Sequence, residues 1–202
     1  MKGAAGDPPA PARTWRAALL PAAIAVVFAI YPVVVWLGLA KQSPRTVAIA
    51  LLCVMLPVLV WLLRQSRGAT AALLLAPVVT VAAIGAAAAF DDAAWLFVEP
   101  VAISAGLLLA FGSTLRRGGM PMVERFARMH EPDLSVPKQA WCRTWTWIWC
   151  AFFVVNGTTA LVLAVAAPLS WWAWYNGSLV YVVMGTLFAT EYVMRRRRFF
   201  RG

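Results

Sequence analysis

Six long runs of apolar residues, separated by short polar or charged intervals, organise this chain. They fall at residues 17–40, 46–63, 69–90, 93–115, 144–167 and 171–194. A helix needs about 20 apolar residues to cross a hydrocarbon core. Every backbone N–H and C=O in lipid must find a partner in protein, which leaves only helices or closed barrels as spanning structures. Alternation of the barrel kind is absent. The pattern therefore predicts an all-α, polytopic membrane protein of about six transmembrane helices. Residues 1–14, MKGAAGDPPAPART, are rich in Ala, Pro and Gly and read as a disordered leader. The remainder, 15–202, reads as a single transmembrane helical domain with one long loop at 116–143. The first run resembles a secretory signal in its basic approach (Lys2, Arg13, Arg16) and in Gly38-Leu39-Ala40, which mimics a cleavage site. Its apolar stretch is much longer than a signal's and further spans follow, so it is read as a membrane helix.

Composition narrows the class. Apolar residues make up 62% of the 202 and charged residues only 13%, with a mean hydropathy of +0.75. A soluble domain of this size could not cover such an interior with so few charges. The net charge of +10 raises the question of nucleic acid. The basic residues cluster at the ends of apolar runs instead of along one face, which fits anionic lipid headgroups as partners and excludes a nucleic-acid reading. With the N-terminus inside, sixteen of the eighteen Lys and Arg fall on the cytoplasmic side. Only Lys41 and Arg45 fall outside. The positive-inside rule thus predicts both termini and the 116–143 loop on the cytoplasmic side. Tryptophan agrees with this orientation: Trp141, Trp145, Trp147 and Trp149 mark the inner rim of the fifth span, and Trp171, Trp172 and Trp174 the outer rim of the sixth.

The loop is the least hydrophobic long stretch. Pro121 suits the first helical position, where its missing N–H costs nothing. Met122, Val123, Phe126 and Met129 then recur on one helical face, with Arg125 and Arg128 off it. Pro132 disfavours helix in the residue before it, so the helix should stop by Glu131. A short amphipathic helix on the inner membrane surface follows. His130, the one histidine, lies with Glu131 and Asp133 in material for a base, an acid and a metal ligand. No nucleophile or glycine-rich phosphate cradle is nearby, and short groupings of this kind arise by accident. The preferred reading is a docking loop, with Pro121, Arg125, Phe126, Met129 and His130 as candidates and no catalytic residue. Cys53, Cys142 and Cys150 have no metal or redox spacing, so no metal or cofactor is expected and the thiols read as reduced.

Polar groups inside spans are functional candidates by default. Glu99, about a turn and a half into the fourth span, is near enough the outer surface for water to reach it in a wet crevice. Asn156, in Asn156-Gly157-Thr158-Thr159 at the middle of the fifth span, shares a face with Trp145, Trp149, Phe152 and Phe153, which should meet other helices. Glu191 stands four residues before Arg195, the spacing of a same-face ion pair. Pro21, Pro32, Pro57, Pro77 and Pro100 should kink spans where neighbours re-satisfy the freed carbonyls.

Four stretches together resemble the septation protein A family of bacterial inner-membrane proteins, its uncharacterised branch above all. They are LPAAIAVVFAIY (20–31), MPMVERF (120–126), TWTWIWCAFFVVNG (144–157) and WWAWYNG (171–177). The family pattern would fall on Pro121 to Arg125, Trp149 to Phe153 and Trp171 to Gly177. The Pro-rich leader and long basic tail depart from it. The resemblance implies a non-enzymatic role in cell-envelope biogenesis or septation, as a scaffold for membrane-protein partners, and transfers no catalytic residue. It also implies a relation to proteins accessory to fatty-acid-type or polyene assembly enzymes. Two other classes stay open on the residues. One is a transporter or flippase for a lipid-linked envelope precursor, with Glu99 and Asn156 lining its path. The other is a membrane-embedded transferase using His130, Glu131 or Asp133.

Overall fold

The computed structural model describes residues 30–65, 71–116, 118–129 and 131–199. Residues 1–29, which include the leader, Pro21 and the first part of the first span, residues 66–70 with Arg67, Arg117, His130 and residues 200–202 with Arg201 lie outside the described residues. Within them every regular element is helical. Its elements are α1 (Ile30–Leu39), α2 (Pro44–Gln65), α3 (Ala71–Phe90), α4 (Ala94–Ser113), α5 (Met122–Arg128), α6 (Val136–Ala166), α7 (Leu169–Trp174), a π-helical turn (Tyr175–Leu179) and α8 (Val180–Phe199). Four helical stretches are long and apolar enough to cross a membrane: α2, α4, α6 and the continuous rod Leu169–Phe199. The described apolar parts of α1 and α3 are shorter. The molecule is an all-helical, multi-pass membrane protein with a short helix, α5, in its long loop. Large apolar side chains such as Leu109, Val165 and Phe188 are exposed on the helices, as a lipid solvent allows.

At one end of the bundle, α1, α2, α3, α4 and α7 meet around Tyr31, Val35, Leu51, Ile84, Leu96 and Trp172. Two turns are stapled together there. Ser43 Oγ accepts the Thr46 N–H at 3.3 Å, and Pro44 opens α2 without an orphan donor. The next N–H, of Arg45, donates to Asp91 Oδ1 at 2.8 Å. In return the Arg45 guanidinium donates to Ala88 O at 3.0 Å and to Ala89 O at 3.4 Å, capping the carbonyl end of α3 with a positive charge. Asp91 takes the left-handed backbone (φ 53°) that short polar side chains tolerate, and Asp92 Oδ1 accepts the Ala94 N–H that starts α4. One of the two basic residues that stand apart from the majority thus has a local structural role.

α4 carries Pro100 within it and runs on through it, at the loss of one backbone hydrogen bond. A proline at position 100 has no N–H to give the Leu96 carbonyl, and in lipid such a carbonyl must find another donor. The Tyr31 hydroxyl of α1 donates to it at 3.2 Å.

The opposite end carries the loop and most of the described basic residues. Both α6 and the Leu169–Phe199 rod have 31 residues, about 46 Å at 1.5 Å per residue, against a hydrocarbon thickness of about 30 Å. Both are longer than such a core requires, and at this basic end the rings of Trp141 and Phe199 meet at 6.0 Å. The apolar run 144–167 marks only the part of α6 in lipid. Its first eight residues, from Val136, carry polar side chains that fasten the loop. Lys138 pairs with Glu131 at 2.6 Å, Gln139 Nε2 donates to Leu134 O, and Arg143 Nη2 donates to Leu115 O at 2.7 Å. α5 is held similarly: Thr114 Oγ1 accepts the Met122 N–H at 3.0 Å and Thr146 Oγ1 the Val123 N–H at 3.3 Å. Pro121 precedes this helix with extended backbone (ψ 147°) and its carbonyl accepts the Arg125 N–H. It is therefore the cap and not the first helical residue. Gly119 approaches the Thr114 carbonyl so closely that a Cβ would sit 2.7 Å from it.

If Tyr31 repairs the break at Pro100, Tyr31→Phe should cost about 1 kcal/mol, a fall of about 2–4 °C in the thermal midpoint of the detergent-solubilised protein. In a Pro100→Ala background the restored N–H competes for Leu96 O and the same change should cost almost nothing. An equal cost in both backgrounds would refute the pairing.

Candidate functional site

The polar residues of the spans form two hydrogen-bonded sets on α4. Glu99 is 3% exposed, and Thr80 of α3 donates to its Oε1 at 2.6 Å. The wet crevice expected around it is closed, because α3 packs a hydrogen-bonding side chain against the carboxyl where an interfacial Glu would meet water. Five residues on, Ser104 faces α6. Its hydroxyl donates to Pro100 O at 2.8 Å and accepts from Asn156 Nδ2 at 3.0 Å. The Tyr175 hydroxyl in turn donates to Asn156 Oδ1 at 3.0 Å. Asn156 is buried on the face that also buries Trp145, Trp149 and Phe153, with Phe152 half-buried. Gly157 permits the approach of α6 to α4, since a Cβ there would lie 3.0 Å from Ser104 Cβ.

Tyr175 opens the π-helical turn. Such turns insert one residue into a helix and often mark functional positions. Buried Asn176 within it donates to the Trp172 carbonyl at 2.9 Å. Hydropathy gave no sign of Tyr175, Ser104, Thr80 or Tyr31 as partners. The available signals were Asn-Gly inside an apolar run and a serine four residues after a proline.

A second feature lies at the basic end. A groove of about 1060 Å³ opens between α4, α5, α6 and α8. Toward the membrane its walls are apolar and largely aromatic: Leu107, Phe111, Trp149, Phe153, Met184 and Phe188. Toward the projecting ends they are charged: Glu131, Lys138, Glu191, Arg195 and Arg196. The Glu191–Arg195 pair is formed at 3.4 Å, and Trp141 Nε1 donates weakly to Glu191 at 3.5 Å. Neither Glu99 nor Asn156 lines this groove.

The loop candidates separate. Pro121 and Met122 are buried, and Val123 and Phe126 are half-buried and line the groove. Met129 follows the end of α5 and is 76% exposed. The expected apolar stripe is therefore divided, and α5 packs on α6 with the inner part of it. Arg125 is exposed. Arg128 is bound to Glu124 at 2.7 Å and to Pro132 O at 2.7 Å. Glu131 is committed to Lys138. Asp133 is exposed. Among the described residues no group of three or more His, Cys, Asp or Glu side chains could hold a metal ion. Cys53 is exposed, and Cys142 and Cys150 are buried free thiols on one face of α6.

Comparison of the chain with protein-family models, with curated proteins and with solved structures returned no match. The resemblance to septation protein A therefore stands on its motifs alone.

Asn156→Ala removes two interhelical hydrogen bonds, each worth about 0.6 kcal/mol in a membrane, and should cost about 1 kcal/mol in bicelle unfolding equilibria. Glu99→Gln keeps the oxygen that accepts from Thr80 and should stay within about 0.5 kcal/mol of wild type. The reverse order would mean that the charge of Glu99, not its oxygen, holds α3 to α4.

Proposed function

We propose that this is a multi-pass protein of the bacterial inner membrane, with both termini and the 116–143 loop cytoplasmic, acting without catalysis as a scaffold in envelope biogenesis or septation. The orientation rests on the distribution of Lys and Arg, and the envelope role on the motif resemblance. The observation that carries the scaffold reading is the build of the loop. Its backbone is fastened to α4 and α6 by Thr114, Thr146 and Arg143, so it is a firm surface, yet it exposes Met120 (42%), Met129 (76%) and Val136 (76%) beside Arg125. Exposed methionine and arginine on a fixed backbone suit protein recognition, because interfaces are enriched in both and a preformed surface loses little entropy on binding. Two of the three loop carboxylates, Glu124 and Glu131, are engaged in ion pairs, which favours recognition over acid–base work for them. A transporter moving a lipid-linked precursor past Glu99 and Asn156 draws less support, because both are packed between helices. The accessory role beside fatty-acid-type or polyene assembly enzymes rests only on the resemblance.

The test is extraction into native-lipid nanodiscs and mass spectrometry of the retained proteins. Met129→Glu with Arg125→Glu should reduce a stoichiometric partner by at least about tenfold, some 1.4 kcal/mol, at an unchanged level of the protein in the membrane. Identical retained proteins would end the scaffold reading. Phe126 is kept out of this variant because it belongs to the groove.

A further inference from the structure

We infer that the groove at the basic end is a binding site for one membrane lipid with an anionic headgroup, its chain among Phe111, Phe153 and Phe188 and its headgroup at Arg196. This goes beyond the scaffold reading and does not depend on it.

The groove follows from how the last rod is attached. Near its start the rod is fixed: Trp172, Ala173 and Asn176 are buried, the rings of Trp172 and Phe97 lie 5.2 Å apart, and Tyr175 holds Asn156. Beyond the π-helical turn no residue of α8 is buried. Its contacts with α6 there are made by side chains, with Phe188 on Trp149 at 4.7 Å and Phe199, Glu191 and Arg198 on Trp141. Between these contacts the helices stand apart. Water is excluded from an apolar space of this kind, and an empty one forfeits the dispersion contacts of its walls. Hydrocarbon from the surrounding membrane satisfies both conditions. The volume, about 1060 Å³, lies just above the range of about 300–1,000 Å³ usual for small-molecule pockets, which favours an extended amphiphile over a small metabolite.

The charged mouth selects the headgroup. Its acids are already matched, Glu131 by Lys138 at 2.6 Å and Glu191 by Arg195 at 3.4 Å. Arg196 brings the wall to three cations against two acids, and Arg197 and Arg198 stand in the same last turn. The Arg198 guanidinium lies over the Trp141 ring at 5.5 Å, which holds this turn at the mouth. Leu134 and Lys138 put the first turn of α6 in the wall. That turn has no side-chain cap and contributes its partial positive charge. Apolar depth and positive rim follow one axis, the polarity of a lipid lying in a leaflet. A peptide helix would match the depth but gives no account of the excess charge.

The experiment uses the full chain, purified and exchanged into nanodiscs of equal phosphatidylglycerol and phosphatidylcholine with identical tails, then released gently for native mass spectrometry. Wild type should retain one phosphatidylglycerol in at least tenfold preference to phosphatidylcholine. Arg196→Glu should abolish the preference, whereas Arg125→Glu, an equal charge change outside the groove, should leave it intact. Met184→Trp, which fills the apolar part, should release the lipid. Retention of neither lipid by wild type would overturn the proposal. So would a lipid that survives Met184→Trp, a preference lost equally in Arg125→Glu, or displacement of lipid by a second copy of the chain.

Discussion

A backbone carbonyl without a partner is costly inside a bilayer, and Pro100 leaves the Leu96 carbonyl, in the first turn of α4, without its helical donor. Much of the architecture is arranged around that break. Tyr31 brings α1 to the orphan carbonyl, and Ser104, one turn past the proline, spends its hydrogen on Pro100 O and presents its lone pair to Asn156. With Thr80 on Glu99 as well, α4 holds α1, α3 and α6 by polar bonds where apolar surface alone gives no drive to associate, because lipid tails are as apolar as the helices. Gly157 adds the close approach that makes the Asn156–Ser104 bond reachable.

The same chain of bonds explains the asymmetry of the molecule. Through Tyr175 it reaches the last rod and fixes it near the π-helical turn, at one end only. The remainder of the rod has no buried side chain and meets α6 through the side chains of Trp149 and Trp141, with the groove opening beside them. The loop closes one side of the gap with Val123 and Phe126, and the basic turn of α8 rims it. Fastening at one end and separation at the other are two results of one arrangement. They divide the molecule into a packed region around Leu96 and a receptive region around Trp149.

What the sequence made legible was the solvent and the segments. Long apolar runs have one comfortable environment, so an all-helical, multi-pass membrane protein could be read, and four of the six expected spans are helices long and apolar enough to cross a membrane. Glu191 and Arg195 pair as their spacing suggests. The division of the loop stripe between buried Met122 and exposed Met129 was not legible, because α5 ends at Arg128 and Met129 is its C-cap, beyond the part packed on α6. The beginning of α6 was hidden because hydropathy reports only the part of a helix in lipid, and residues 136–143 lie beyond it. The burial of Glu99 was hidden too, since its partner Thr80 is an ordinary residue of another span. The groove could not be anticipated at all: it is a space between elements, set by where the rod is anchored.

The most direct test of this account is an experimental structure of the full chain in lipid nanodiscs, determined by single-particle imaging with a rigid binding fragment. The account expects α8 to stand off from α4 and α6 at the level of Trp149, with elongated density running from Phe111 and Phe153 to Arg196 while Tyr175 still meets Asn156. A rod packed along its whole length against α6, with no space at Trp149, would contradict it.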